Sequence, residues 1–194
     1  MDVTILHLLD GSRVYLHGVL DNFSRRILAW RLERELSAST TREMILSARE
    51  ALGAQTSDTP RTRVFTDGGS ENACLTSDAE LAGLITRVIA QVEVSFSNSM
   101  IEAFWLALKH RWLYLHRLDK LESVRTLVAA YVGDHNDLIP RVELGGRTPT
   151  EAYEGRPAPA LEVACREART RRLEANRKTT CGVCDEPPCD RMVP

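Results

Sequence analysis

Long apolar runs are missing from this chain. No stretch approaches the ~20 consecutive apolar residues that a membrane-spanning helix needs, so no membrane partner is expected. The first residues (MDVTILHLLDGSRVYL) lack a basic leader followed by an extended apolar segment, and they do not read as a signal peptide. Both absences point to the cytoplasm. An excess of basic charge is missing too: 25 Lys and Arg stand against 27 Asp and Glu, for a net charge of -2. That excludes a uniformly basic surface, and any contact with a polyanion must rest on local patches. Residues 1–100 carry 10 basic and 13 acidic side chains, whereas residues 166–178 carry six basic and two acidic ones. Paired cysteine clusters are absent as well. Five cysteines is an odd number, and a disulfide framework is not expected. Cys181, Cys184 and Cys189, with Cys165 or a histidine, make an incomplete zinc set. Free thiols in a tail are the expectation.

What is present is a chain that builds a core. Hydrophobic residues make up 43% of 194, enough for one domain and an appendage. Residues 2–9, 14–20 and 26–33 are apolar and β-branched runs separated by short polar turns, which predicts three strands in an antiparallel meander. Ser39-Thr40-Thr41 precede a helical apolar pattern ending near Leu52. Residues 62–66 read as a strand running into Asp67-Gly68-Gly69. A helix over about 77–84 and a strand within 85–95 follow. In 98–115, Ile101, Phe104, Trp105, Leu108 and Trp112 recur at helical spacing, and 120–138 repeats that pattern. Pro140, Gly145, Gly146, Pro149, Pro157 and Pro159 then interrupt it. A basic helix over about 160–178 and the cysteine tail close the chain. The expected domains are 1–155 and 156–194. The fold class is α/β, a mixed sheet with helices on its faces.

Three carboxylates stand out by position. Asp2 lies in the first strand, Asp67 ends the fourth before two glycines that permit a sharp turn, and Glu102 opens a helix. Converging carboxylates suit hard cations, Mg2+ or Mn2+, and phosphoryl chemistry often uses two such ions. Any one of 27 acidic residues is more often a solvated charge, so spacing alone carries little.

The strings MDVTIL, GVLDNFSRRILAW, VFTDGGSENA, NSMIEAFWLALKHRW and HNDLIPRVELGGRTPTEAY resemble, in order, the integrase core of bacterial insertion-sequence transposases and retroviral integrases. Thirty-four residues separate Asp67 from Glu102, an interval like that of the family's second and third acids. The resemblance implies a ribonuclease H-like fold and metal-dependent cutting and joining of DNA strands. It assigns Asp2, Asp67 and Glu102 as catalytic metal ligands, and two ions are expected there from phosphoryl chemistry. It also implies DNA as partner, a homo-oligomer on DNA, and a nucleoid-associated bacterial protein. Lys109 follows Glu102 by seven residues, nearly two helical turns, on the same face about 10.5 Å away. It is a candidate contact to the phosphate beside the scissile bond. Asn72 and Asn98 flank the site as candidates for orienting a carboxylate or touching DNA, and Asn98 doubles as a candidate helix cap. Asp21 is expected to cap a turn, Trp105 and Trp112 to fill the core, and His110 to lie on the surface.

The sequence begins one residue before Asp2, without the helix-turn-helix domain that often precedes this core. A separate helix-turn-helix subunit is one expectation; a truncated, inactive remnant that binds DNA or a partner is the alternative, and a nuclease that cuts without joining is a third. A shortened first strand would hold Asp2 less firmly than a metal site needs.

Overall fold

The computed structural model describes residues 1–51, 62–67, 81, 84–89 and 98–180. They fall into two compact units, Met1–Asn136 and Asp137–Pro194.

In the first unit, β1 (Asp2–His7), β2 (Arg13–Leu20) and β3 (Ile27–Glu33) form an antiparallel sheet in the order β1-β2-β3, as the meander pattern predicts. The register places Asp2 opposite Gly18 and Val3 opposite His17, with Gly18 opposite Trp30 and His17 opposite Arg31 on the other side. Asp21 closes the β2–β3 turn as expected: its carboxylate accepts the Ser24 N–H at 2.8 Å and the Ser24 hydroxyl at 2.6 Å. β4 (Thr62–Thr66) and β5 (Ile85–Ile89) pair in parallel. The Met1 nitrogen donates to the Phe65 carbonyl at 2.7 Å, which ties the start of β1 to β4. The expected helix over 77–84 lies largely outside the described residues.

Successive strand residues point to opposite sheet faces, and both faces are covered. On one, Leu6, Val14, Leu16 and Leu32 pack with α2 (Ser99–Arg111) and α3 (Leu121–Gly133) through Ile101, Phe104, Trp105, Leu108, Val124 and Val128. On the other, Val19 packs with Met44, Ile45 and Ala48 of α1 (Ala38–Ala51), with Val64 and Ile85 in the same cluster. Burying each such side chain contributes about 1.5–3 kcal/mol.

Helix ends depart from the sequence expectation for local reasons. α1 begins before Ser39, because the Ser37 hydroxyl accepts the Thr40 N–H at 3.1 Å and so supplies the N-cap bond. α2 stops at Arg111 instead of running to Leu115. Trp112 leaves helical geometry, its indole donates to the Leu127 carbonyl at 2.9 Å, and Leu113–Leu115 form a 3-10 turn. α3 gives way after Gly133 to a π-helical turn, Asp134–Leu138. There His135 Nε2 donates to the Arg25 carbonyl at 2.8 Å, and the Asn136 amide exchanges two bonds with the Ile27 backbone at 2.9 and 3.0 Å. The widened turn aims both side chains inward at the β2–β3 connection.

The second unit opens with a 3-10 turn (Val142–Leu144) ended by Gly145 at φ +66, a left-handed position that glycine adopts without a Cβ penalty. α4 (Pro149–Tyr153) starts with a reciprocal capping box. The Thr148 hydroxyl accepts the Glu151 N–H at 3.2 Å, and the Glu151 carboxylate accepts the Thr148 N–H at 2.8 Å. α5 (Leu161–Thr180) is the expected basic helix, and Ala168 is its buried residue while Arg166, Arg169, Arg171, Arg172 and Arg177 are exposed.

Candidate active site

β1 brings Asp2 to the sheet edge where β4 ends. Burial pushes the Asp2 carboxyl above the ordinary carboxylate range, and the charge of Asp67 pushes the same way. Hydrogen bonds from the Val3 backbone and the Trp105 indole work against that rise. The charge of Asp67 thus reaches Asp2, and a nearby like charge disfavours the ionised carboxylate. Asp67 follows β4, whose end is gripped from β5. Arg87 Nε donates to the Thr66 hydroxyl at 3.0 Å, and its guanidinium donates to the Asp67 carbonyl at 3.0 Å.

α2 supplies the other side of the site. Its register sets Glu102, Trp105 and Lys109 on one stripe, since residues three, four and seven apart share a helix face. The Trp105 indole N–H donates to Asp2 Oδ2 at 3.0 Å. Trp105 is itself buried, 5% exposed. The helix comes this close because β2 carries glycine opposite Asp2. A Cβ added at Gly18 would lie 2.6 Å from the Trp105 ring. Lys109 is half-buried; burial lowers its ammonium pKa and the charge of Asp2 opposes that shift, so its charge is felt at Asp2. Glu102 is exposed in the first turn of α2, and its N–H donates to the Asn98 carbonyl at 3.2 Å.

The structure thus draws Asp2, Asp67 and Lys109 into one electrostatic neighbourhood, with Glu102 one helical turn before the residue that touches Asp2. Among the described residues, no three metal-ligating side chains converge into a finished cluster. In kind the donors fit a hard divalent ion: carboxylate oxygens, two of them already coupled. Asn98 is buried at the N-cap position of α2, yet its side chain makes no capping bond there. Asn72, Gly68, Gly69 and the tail cysteines Cys181, Cys184 and Cys189 lie outside the described residues. Cys165 is exposed on α5.

Sequence reasoning missed two contributors. Trp105 was expected only as core, and it also binds Asp2. Gly18 was read as one residue of a strand. A glycine inside a strand signals close approach by another group, and that signal was available. His110 is exposed and stacks edge-on against Tyr114.

This geometry has counterparts. A protein of insertion element IS136 from Agrobacterium fabrum, itself uncharacterized, is 27% identical over 147 residues, covering 73% of this chain and 74% of that protein. An IS136 protein from Agrobacterium tumefaciens matches to the same extent. Among solved structures, a chain of the simian T-cell lymphotropic virus intasome in complex with PP2A regulatory subunit B56 gamma superposes with a TM-score of 0.59 at 18% identity. The alignment covers 81% of this chain and 55% of that one, so the chain spans about half of that neighbour. The catalytic core domain of BIV integrase superposes with a TM-score of 0.51 at 16% identity, covering 79% of this chain and 92% of that one. These likenesses carry the fold, which is ribonuclease H-like. The sequence model of the integrase core domain matches residues 1–99, just over half of the chain, and the chain belongs to the integrase core domain family.

Proposed function

We propose that this protein cuts and joins DNA strands in transposition, using divalent ions held by Asp2, Asp67 and Glu102. The observation that carries this reading is geometric: the Met1 nitrogen bonds the Phe65 carbonyl of β4 at 2.7 Å, two residues before Asp67, and Trp105 of the helix that presents Glu102 bonds Asp2 at 3.0 Å. Bound divalent ions supply activation of a water or 3'-hydroxyl and neutralise the leaving oxygen of an in-line displacement. The chain's own groups do the rest. Asp2 opens β1 and Asp67 follows β4, each offering carboxylate oxygens, and the Met1–Phe65 bond ties these two segments together. Glu102 offers a third carboxylate, its backbone anchored to Asn98. Lys109 directs its ammonium to the phosphate beside the scissile bond; burial lowers its pKa, and the neighbouring Asp2 charge opposes that shift. Asn98 serves the site through the start of α2; Asn72 is assigned to DNA from its sequence position.

DNA as partner is also supported in the second unit. On α5, Arg166 and Arg177 lie on the side opposite buried Ala168, at 100° per residue, and Arg169 lies on its flank. These exposed guanidiniums suit phosphate contacts, which would weaken steeply with salt. Joining two DNA ends calls for two active sites, hence a homo-oligomer on DNA.

The test is incubation of the purified protein with Mn2+ and labelled DNA ends beside Asp67→Asn. Strand-transfer products that vanish in the variant are the expected result. Cleavage without joining would replace the transposase reading with a nuclease. No metal-dependent product from the wild type would overturn catalysis and leave a DNA-binding remnant.

A further inference from the structure

We propose that Trp105 is a positioning residue for Asp2, and that Gly18 exists as glycine to let it reach. This rests on the reading of Asp2 as a metal ligand. Three observations converge. The indole N–H donates to Asp2 Oδ2 at 3.0 Å. The same ring fills the space where a Cβ on Gly18 would stand, 2.6 and 2.7 Å from two ring carbons. Gly18 is the residue directly opposite Asp2 in the β1–β2 ladder. The carboxylate, the strand position facing it and the aromatic ring therefore form one mechanical unit.

The chemistry of the indole suits this role. Its N–H is a donor only, so Trp105 cannot compete with Asp2 for a cation. One donated bond occupies one of about four lone-pair sites on the carboxylate and leaves the others for a metal. The ring is rigid and buried, packed edge-on against Phe104 at 5.2 Å between centroids, so the bond has little freedom to wander. Partners that orient a metal ligand from behind typically change metal affinity 10–100-fold when removed. Asp2 sits at the first position of its strand, where backbone pairing restrains it on one side. A side-chain restraint there has more to do than it would mid-strand.

The test follows indole N–H resonances by heteronuclear NMR together with Mn2+ binding by electron paramagnetic resonance. The chain has three tryptophans, so Trp105→Phe assigns the resonance. In wild type, Asp2→Ala and added Mg2+ should each shift the Trp105 resonance while those of Trp30 and Trp112 stay. Mn2+ affinity should fall about tenfold in Trp105→Phe, which keeps most of the ring volume, and by a similar factor in Gly18→Ala, which keeps the indole but displaces it. The Mg2+ shift is read on the wild type, and thermal melts check that Asp2→Ala, Trp105→Phe and Gly18→Ala fold. A Trp105 resonance indifferent to Asp2→Ala would overturn the hydrogen bond and the proposal. Mn2+ affinity unchanged in Trp105→Phe would overturn the positioning role alone. Absent Mn2+ binding by wild type, with the Asp2→Ala shift intact, would instead bring down the metal reading and reduce Trp105 to a structural bond.

Discussion

The two faces of the three-stranded sheet are made from alternate residues of the same strands, and they treat polar atoms differently. Under α2 and α3 the buried Trp105 indole bonds Asp2, and the partly buried Trp112 indole bonds the Leu127 carbonyl. Under α1, His17 is fully buried and, among the described residues, neither its ring nitrogens nor the buried Thr41 hydroxyl finds a hydrogen-bond partner. A cavity of about 310 Å3 lies between that side and the start of α2, lined by Val19, Ile45, Ala48 and Val64 together with Asn98 and Ile101. A buried group without a partner carries a desolvation penalty of about 1–3 kcal/mol. The difference teaches that satisfied polar groups gather where a carboxylate must be held, while the opposite face tolerates an imperfect core.

That contrast can be broken at several points. The largest effect is expected at the site itself. Asp67→Asn should reduce strand transfer by more than the roughly 10–100-fold attached to an outer partner of a ligand, with the melting temperature little changed. Next, Leu108→Ala empties a fully buried position on the α2 face and should destabilise by about 2–5 kcal/mol in chemical denaturation. A loss below about 1 kcal/mol would mean that this face is no better packed than the other.

The α1 face should reveal itself through pH. Burial, helped by the Arg31 charge, lowers the His17 pKa from 6.5 to about 4. The folded protein keeps His17 neutral where the unfolded chain takes up a proton. Stability from this source is therefore complete above about pH 6.5 and is lost as pH falls toward 4, by up to about 3 kcal/mol. His17→Leu should flatten that part of the stability curve and leave stability at neutral pH equal or higher, because two unsatisfied nitrogens are removed. An unchanged slope would show that His17 is protonated or solvated in the fold. The smallest effect belongs to the Arg31–Glu43 ion pair that links β3 to α1. Both side chains are 40–50% exposed, and Glu43→Gln should alter stability by less than about 1 kcal/mol, less still at high salt.

Much of the fold was legible in the sequence because period and turn chemistry are local. The meander, β4 and the core stripe of α2 follow from alternation or helical spacing of apolar residues. Helix ends were less legible, since they depend on particular partners. Ser37 captures the Thr40 N–H ahead of the serine and threonines that looked like the cap, and Trp112 abandons α2 to reach α3. At the candidate site, motif order proposes Asp2 and Asp67, and in the structure the charge of Asp67 reaches Asp2. The Trp105 bond was not, because it joins residues 103 apart in sequence and depends on an absent side chain at Gly18. Apolar spacing marks Trp105 as core and is silent about where its N–H points.

The most direct test sets the two faces side by side: Mn2+-dependent strand transfer by wild type, Asp2→Asn and His17→Leu near neutral pH, with thermal melts of each. Asp2→Asn should fold and lose strand transfer, and His17→Leu should keep it at the wild-type level. Strand transfer that survives in Asp2→Asn, or that disappears in a well-folded His17→Leu, would contradict the assignment of the chemistry to the α2 face.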